Sequence, residues 1–167
     1  MRKTKAWFIG ILLCAYAIQV HAGVTVGDQA PNFSATILDG KQISLQDDYI
    51  GKTPVLLVFW ATWCPNCQRE VPRLNQLDKE IGERLSILAI NLGVGGDSIA
   101  NVRTYKKEHS MNYPIIFDEK NCIKKAYEVF GTPTQIIVGV NGTILYRGMD
   151  TPTMADIKAR WDILTQK

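Results

Sequence analysis

The chain has 167 residues, 46% of them hydrophobic, with 19 Lys and Arg against 16 Asp and Glu and a formal charge of +3. Three of the basic residues, Arg2, Lys3 and Lys5, fall in the first five positions. A chain lacking residues 1–22 therefore carries 16 charges of each sign, without the surviving basic patch that nucleic-acid binding needs.

Those early charges lead into the apolar run Ala6–Ile18 and then "QVHA", the order of an export signal with cleavage expected after Ala22. The run is about 13 residues, short of the roughly 20 an α-helix needs to span a bilayer, which leaves an uncleaved N-terminal anchor as the alternative. Cys14 follows "ILL" and is expected to leave with the signal. Residues 23–167 are expected to form one domain, long enough to bury a core without structural disulfides. Cys64, Cys67 and Cys122 then remain, an odd number that argues against a purely structural disulfide framework.

"FSATIL", Asp39-Gly40 and "QISL" predict two short strands across a tight turn. "PVLLVFW" (54–60) is a continuous apolar run, the pattern of a strand covered on both faces. From about Pro65 to Ile81 the period becomes helical, with Cys67, Glu70, Leu74, Leu77 and Ile81 on one stripe. Pro72 lies inside that helix and bends it. "LSILAINL" (85–92) predicts a second buried strand, and Ser98 the N-cap of a helix running to about His109. "PIIF" predicts a short strand and "NCIKKAYEV" a helix. "TQIIVGV", Asn141-Gly142 and "TILYRG" predict a hairpin with a type I′ turn. A last helix is expected from about Thr153 to Leu164. Strands alternating with helices up to a final hairpin and helix predict an α/β fold, one mixed sheet with helices on both faces.

The chemistry concentrates at "FWATWCPNC" (59–67). Three residues apart on a helix, Cα atoms lie roughly 5 Å apart and side chains share a face, within reach of a disulfide. At a helix start, unpaired N–H groups and the partial positive charge stabilise a thiolate, the form that attacks another disulfide. Cys64 is the expected nucleophile and Cys67 the thiol that resolves the mixed disulfide. Structural zinc usually takes four ligands, and beyond residue 22 there is no second cysteine pair and one histidine, His109. Copper(I) on two soft thiolates stays open, as does an inert disulfide closing a short loop. Cys122 is expected as a small apolar filler near its helix start, with an exposed reactive thiol as the alternative. His109 is expected at a solvated helix end.

"FWATWCPNC", Pro72, "GTPT" (131–134), "VGDQAPNFSATILDGKQISL", Glu70 and the helix-strand segment between residues 98 and 117 resemble the thioredoxin superfamily. They are most similar to its exported TlpA/ResA-like thiol-disulfide oxidoreductases, with an AhpC/TSA-redoxin-like domain over roughly residues 24–165. The resemblance implies a thioredoxin-like fold with an N-terminal β-hairpin and an inserted helix-strand segment. It implies that Pro133 is cis and turns the carbonyl and N–H of Thr132 toward the cysteines, where an extended substrate can pair. Trp63 and Pro133 would form an apolar lip beside Cys64. Glu70 would be the proton acceptor for Cys67, the alternative being that Pro72 rotates it to solvent. The buried aspartate of thioredoxins, six residues before the first cysteine, is replaced here by Val58. A peroxiredoxin's threonine and proline would fall at Ala61 and Leu57, so peroxidase chemistry is not expected. The implied function is reduction of disulfides in exported, periplasmic proteins, with cytochrome c maturation as a pathway and an oxidising, disulfide-forming role as the alternative. No cofactor beyond the Cys64–Cys67 dithiol is expected. The implied partners are oxidised exported proteins and a membrane reductant of the DsbD or CcdA type, with the chain acting as a monomer.

Overall fold

The structure, a computed structural model, describes residues 24–167. The expected export signal at 1–22, with Cys14, lies outside the described residues.

The N-terminal hairpin pairs β1 (Ser34–Thr36) with β2 (Gln42–Ser44), Ala35 standing opposite Ile43. A π-helical turn, Leu45–Tyr49, follows it. The main sheet has five strands: β3 (Val55–Trp60), β4 (Ser86–Asn91), β5 (Ile115–Phe117), β6 (Thr134–Val138) and β7 (Ile144–Gly148). Their order is β5-β4-β3-β6-β7. β3 runs parallel to β4 and β4 to β5, while β6 is antiparallel to both β3 and β7.

β3 is central and every residue in it is buried, which is why its sequence is an unbroken apolar run rather than an alternating one. Leu56, Val58 and Trp60 face one side with Ile87, Ala89 and Ile137. There they pack on α1 (Pro65–Ile81), α2 (Ile99–Glu108), α4 (Met154–Ala159) and α5 (Trp161–Leu164) through Val71, Leu74, Val102, Ile157 and Leu164. Val55, Leu57 and Phe59 face the other side, where α3 (Cys122–Ala126) and the N-terminal hairpin cover them with Ile123, Phe33 and Ile43. Each such fully buried side chain contributes about 1.5–3 kcal/mol.

α1 spans the predicted residues, with Pro72 inside it, and its buried stripe is Cys67, Glu70, Val71, Leu74, Leu77 and Ile81. Ser98 caps α2 through a capping box with Asn101. Three expectations need correction. The final hairpin does not use a type I′ turn: Gly142 has φ 85° and Asn141 does not have positive φ. Instead Gly142 N–H donates to Gly139 O and Gly139 N–H to Thr143 O, a type I turn closed by a left-handed glycine. The last helix breaks at Arg160 into α4 and α5, which seats the second piece against the hairpin loop, where Leu164 O accepts from Val140 N–H at 2.9 Å. α3 stops at Ala126, because Tyr127 turns inward against Phe33 and Phe59 and Glu128 adopts φ 48°.

Candidate active site

β3 ends at Trp60, and the turn Ala61–Trp63 delivers Cys64 to the N-cap of α1. Cys64 and Cys67 are joined as a disulfide with Cα atoms 5.2 Å apart, the separation that helical spacing predicts. Cys67 N–H donates to Cys64 Sγ at 3.2 Å, so the sulfur occupies the place of a capping oxygen. A negative charge forming on it on reduction would meet that N–H and the positive end of a 17-residue helix. Both cysteines are buried, at 4% and 3% exposure. Burial does not distinguish the two thiols; what differs is position, Cys64 at the N-cap and Cys67 one turn inside the helix.

The Thr132–Pro133 peptide is cis, and the Thr132 carbonyl oxygen lies 3.5 Å from Cys64 Sγ. Thr132 and Pro133 are thus brought to the cysteine pair from the start of β6. Trp63 is half exposed and its indole N–H donates to Val94 O at 2.8 Å, which pins the ring. The loop after β4 makes this possible. Gly95, at φ 64°, packs against the indole so closely that any side chain would overlap it.

Glu70 is buried at 6% exposure, so Pro72 does not rotate it to solvent. It lines a small, largely apolar pocket with Cys67, Val58, Trp60 and Pro133. Arg73 Nη1 donates to its Oε1 at 2.8 Å and Thr151 N–H to its Oε2 at 2.7 Å. A buried carboxylate is tolerable because both oxygens are engaged. On the solvent side Glu70, Arg73, Arg69, Pro133 and Met149 border an open cleft of about 390 Å³.

Several supporting residues carried no signal in the sequence. Gln135, 0% exposed, donates from Nε2 to Thr151 Oγ1 at 3.0 Å and to Met149 O at 3.4 Å. It thereby steadies the segment that reaches Glu70. It stands opposite Val58, the position where thioredoxins carry their aspartate. Asp97 takes Thr62 N–H at 2.9 Å and Asn91 Nδ2 at 2.7 Å, and also bonds the Thr62 hydroxyl. That ties the turn before Cys64 to the end of β4. Phe130, three residues before Pro133, is 94% exposed. Gln135 and Asp97 were invisible because their partners lie on other segments of the chain, whereas Cys64, Cys67 and Glu70 fall within one turn-and-helix stretch.

Cys122 and His109 are not brought to the site. Cys122 opens α3 as an exposed free thiol, which corrects the filler expectation. His109 is the C-cap of α2 with its ring stacked on Tyr105.

Comparison with known proteins agrees with this geometry. The AhpC/TSA family matches over residues 26–147. The chain is 34% identical to the Thioredoxin-like protein YneN of Bacillus subtilis, over 95% of this chain and 98% of that one. It is 33% identical to the Thiol-disulfide oxidoreductase ResA of Geobacillus thermodenitrificans, over 89% and 87%. Among solved structures, a putative thiol:disulfide interchange protein DsbE from Chlorobium tepidum superposes with TM-score 0.69 at 25% identity, over 85% of this chain and 97% of that one. StoA from Bacillus subtilis superposes with TM-score 0.67 at 23% identity, over 78% and 96%, a likeness of fold.

Proposed function

The chain belongs to the AhpC/TSA family and is a thiol-disulfide oxidoreductase, and from that premise we propose that it reduces disulfides in exported proteins of the periplasm. The observation that carries the reading is Cys64 at the N-cap of a long helix, bonded to Cys67 and faced by the Thr132 carbonyl.

In the reduced state Cys64 attacks a sulfur of the substrate disulfide, forming a mixed disulfide and releasing one substrate thiolate. Cys67 then attacks Cys64 Sγ, the second substrate sulfur leaves as a thiolate, and the Cys64–Cys67 disulfide closes. Two electrons pass to the substrate. Glu70, which lines the same small pocket as Cys67, accepts the Cys67 proton for that second attack. Trp63, Thr132 and Pro133 hold the substrate segment against Cys64. A membrane reductant of the DsbD or CcdA type returns the electrons, and apocytochrome c, whose cysteines must be reduced before haem attachment, is a fitting substrate. The dithiol is the only redox group the cycle uses, and the chain works as a monomer.

Among the described residues no helix is long and apolar enough to cross a membrane. The test is equilibration of the Cys64/Cys67 couple against dithiothreitol or glutathione at set ratios. A potential at the reducing end of the thioredoxin-to-DsbA span of about 150 mV supports the reductase. A potential near the DsbA end overturns it while leaving the oxidoreductase class intact. A Cys67→Ala variant should hold its substrates as mixed disulfides on Cys64.

A further inference from the structure

Phe130 is the most exposed large apolar side chain among the described residues, at 94%, and the chain around it is pinned. Val129 before it is buried. Arg147 donates to Tyr127 O and Glu128 O, each at 2.9 Å, and the Thr134 hydroxyl donates to Gly131 O at 2.7 Å. Exposure here is therefore fixed by a held loop, not by a loose end. The same segment bends at Gly131–Pro133 and leaves backbone groups free: among the described residues, the N–H groups of Phe130, Gly131 and Thr132 donate to no protein acceptor. Free groups of this kind pair with an extended chain.

We propose that Phe130 is a specificity-determining residue, which selects substrate segments carrying an apolar side chain two positions from the cysteine under attack. The inference rests on the thiol-disulfide exchange assigned above. The attacked sulfur must reach Cys64, 3.5 Å from Thr132 O, so the substrate cysteine lies opposite Thr132. Phe130 stands two residues before Thr132, at most about 7 Å away along a chain that bends at Gly131 and Thr132, within reach of a substrate side chain two positions from the cysteine. An aromatic or branched aliphatic group there covers the Phe130 ring.

The test uses short peptides whose single cysteine is capped with thionitrobenzoate and which carry phenylalanine, leucine, serine or glutamate two positions before or after it. With reduced protein, Cys64 thiolate attacks the peptide sulfur, the bond to the cap breaks, and the coloured thionitrobenzoate anion leaves. Cys67 then displaces the peptide as its thiol and the Cys64–Cys67 disulfide forms. The expected result is a preference of roughly tenfold for the apolar peptides on one side of the cysteine, expressed in KM. Phe130→Ser should reduce that preference to about twofold or less and leave reaction with 5,5′-dithiobis(2-nitrobenzoate) unchanged. A preference that survives in Phe130→Ser, or none in the parent, overturns the proposal. Loss of all thionitrobenzoate release in the parent would instead sink the exchange chemistry itself. A side chain so exposed can be changed without unfolding the protein.

Discussion

A methyl group added at Gly95 would overlap Trp63 at Nε1 and Cε2 and come within 2.9 Å of Cζ2, so Gly95→Ala must swing the indole out of its place. Its bond to Val94 O would break. The neighbouring Gly96 supplies the control, since it has φ 89° and open space around its Cβ. Both substitutions carry the left-handed backbone cost of about 1–2 kcal/mol, and only the first disturbs Trp63. Gly95→Ala is expected to shift Trp63 fluorescence and raise KM for a protein substrate severalfold; Gly96→Ala should lower stability alone. Gln135 presents a different case. Gln135→Leu removes the donor to Thr151 together with the Oε1 acceptor that has no partner in the fold. Losing both partly cancels, so the free energy of unfolding should change by less than about 1 kcal/mol. Release of the mixed disulfide by Cys67, followed in single turnover, should slow severalfold, because Thr151 no longer holds Glu70 as firmly.

The loop between β4 and α2 and the turn between β3 and α1 act as one unit through Asp97. Asp97→Ala leaves the buried Asn91 amide and the Thr62 N–H without their charged acceptor, at a cost of about 2–3 kcal/mol. Thermal unfolding should register that loss, and a lower rate of alkylation at reduced Cys64 should accompany it. How far elements could be read in advance follows from the same contrast between local and non-local causes. α1 was legible from Pro65 to Ile81 because one helical stripe carries both the core contacts and the chemistry. β3 was legible because burial on both faces leaves no polar residue in it. The Asn141-Gly142 turn was misread because Val140 N–H is drawn to Leu164 O and Val140 O accepts from Gly51 N–H. Two contacts from distant segments outweighed a dipeptide preference. α3 was drawn too long for a similar reason, Tyr127 being taken by the core. Glu70's inward direction was legible as a carboxylate on an apolar stripe, while Gln135, Thr151 and Asp97 were not, since nothing local announces a partner across the sheet.

At the scale of the molecule, Tyr127 joins the N-terminal segment to the sheet. Its ring packs on Phe33 and Phe59 and its hydroxyl donates to Pro31 O at 2.8 Å, while burial pushes its phenol well above the ordinary range. Tyr127→Phe should cost about 1 kcal/mol by orphaning one carbonyl, and Tyr127→Ala about 3–5 kcal/mol through the cavity it leaves. Urea unfolding separates the two. The covered sulfurs of Cys64 and Cys67 reach further than stability. Opening their bond demands that an attacking sulfur reach a buried atom beside the Thr132 carbonyl, so abundant small thiols are screened by access before driving force is consulted. Glutathione should therefore open this disulfide more slowly than it opens a surface disulfide of equal potential, with stopped-flow tryptophan fluorescence as the clock. A catalyst screened in that way can rest oxidised amid a pool of bystander thiols, and its traffic is set by which proteins can dock.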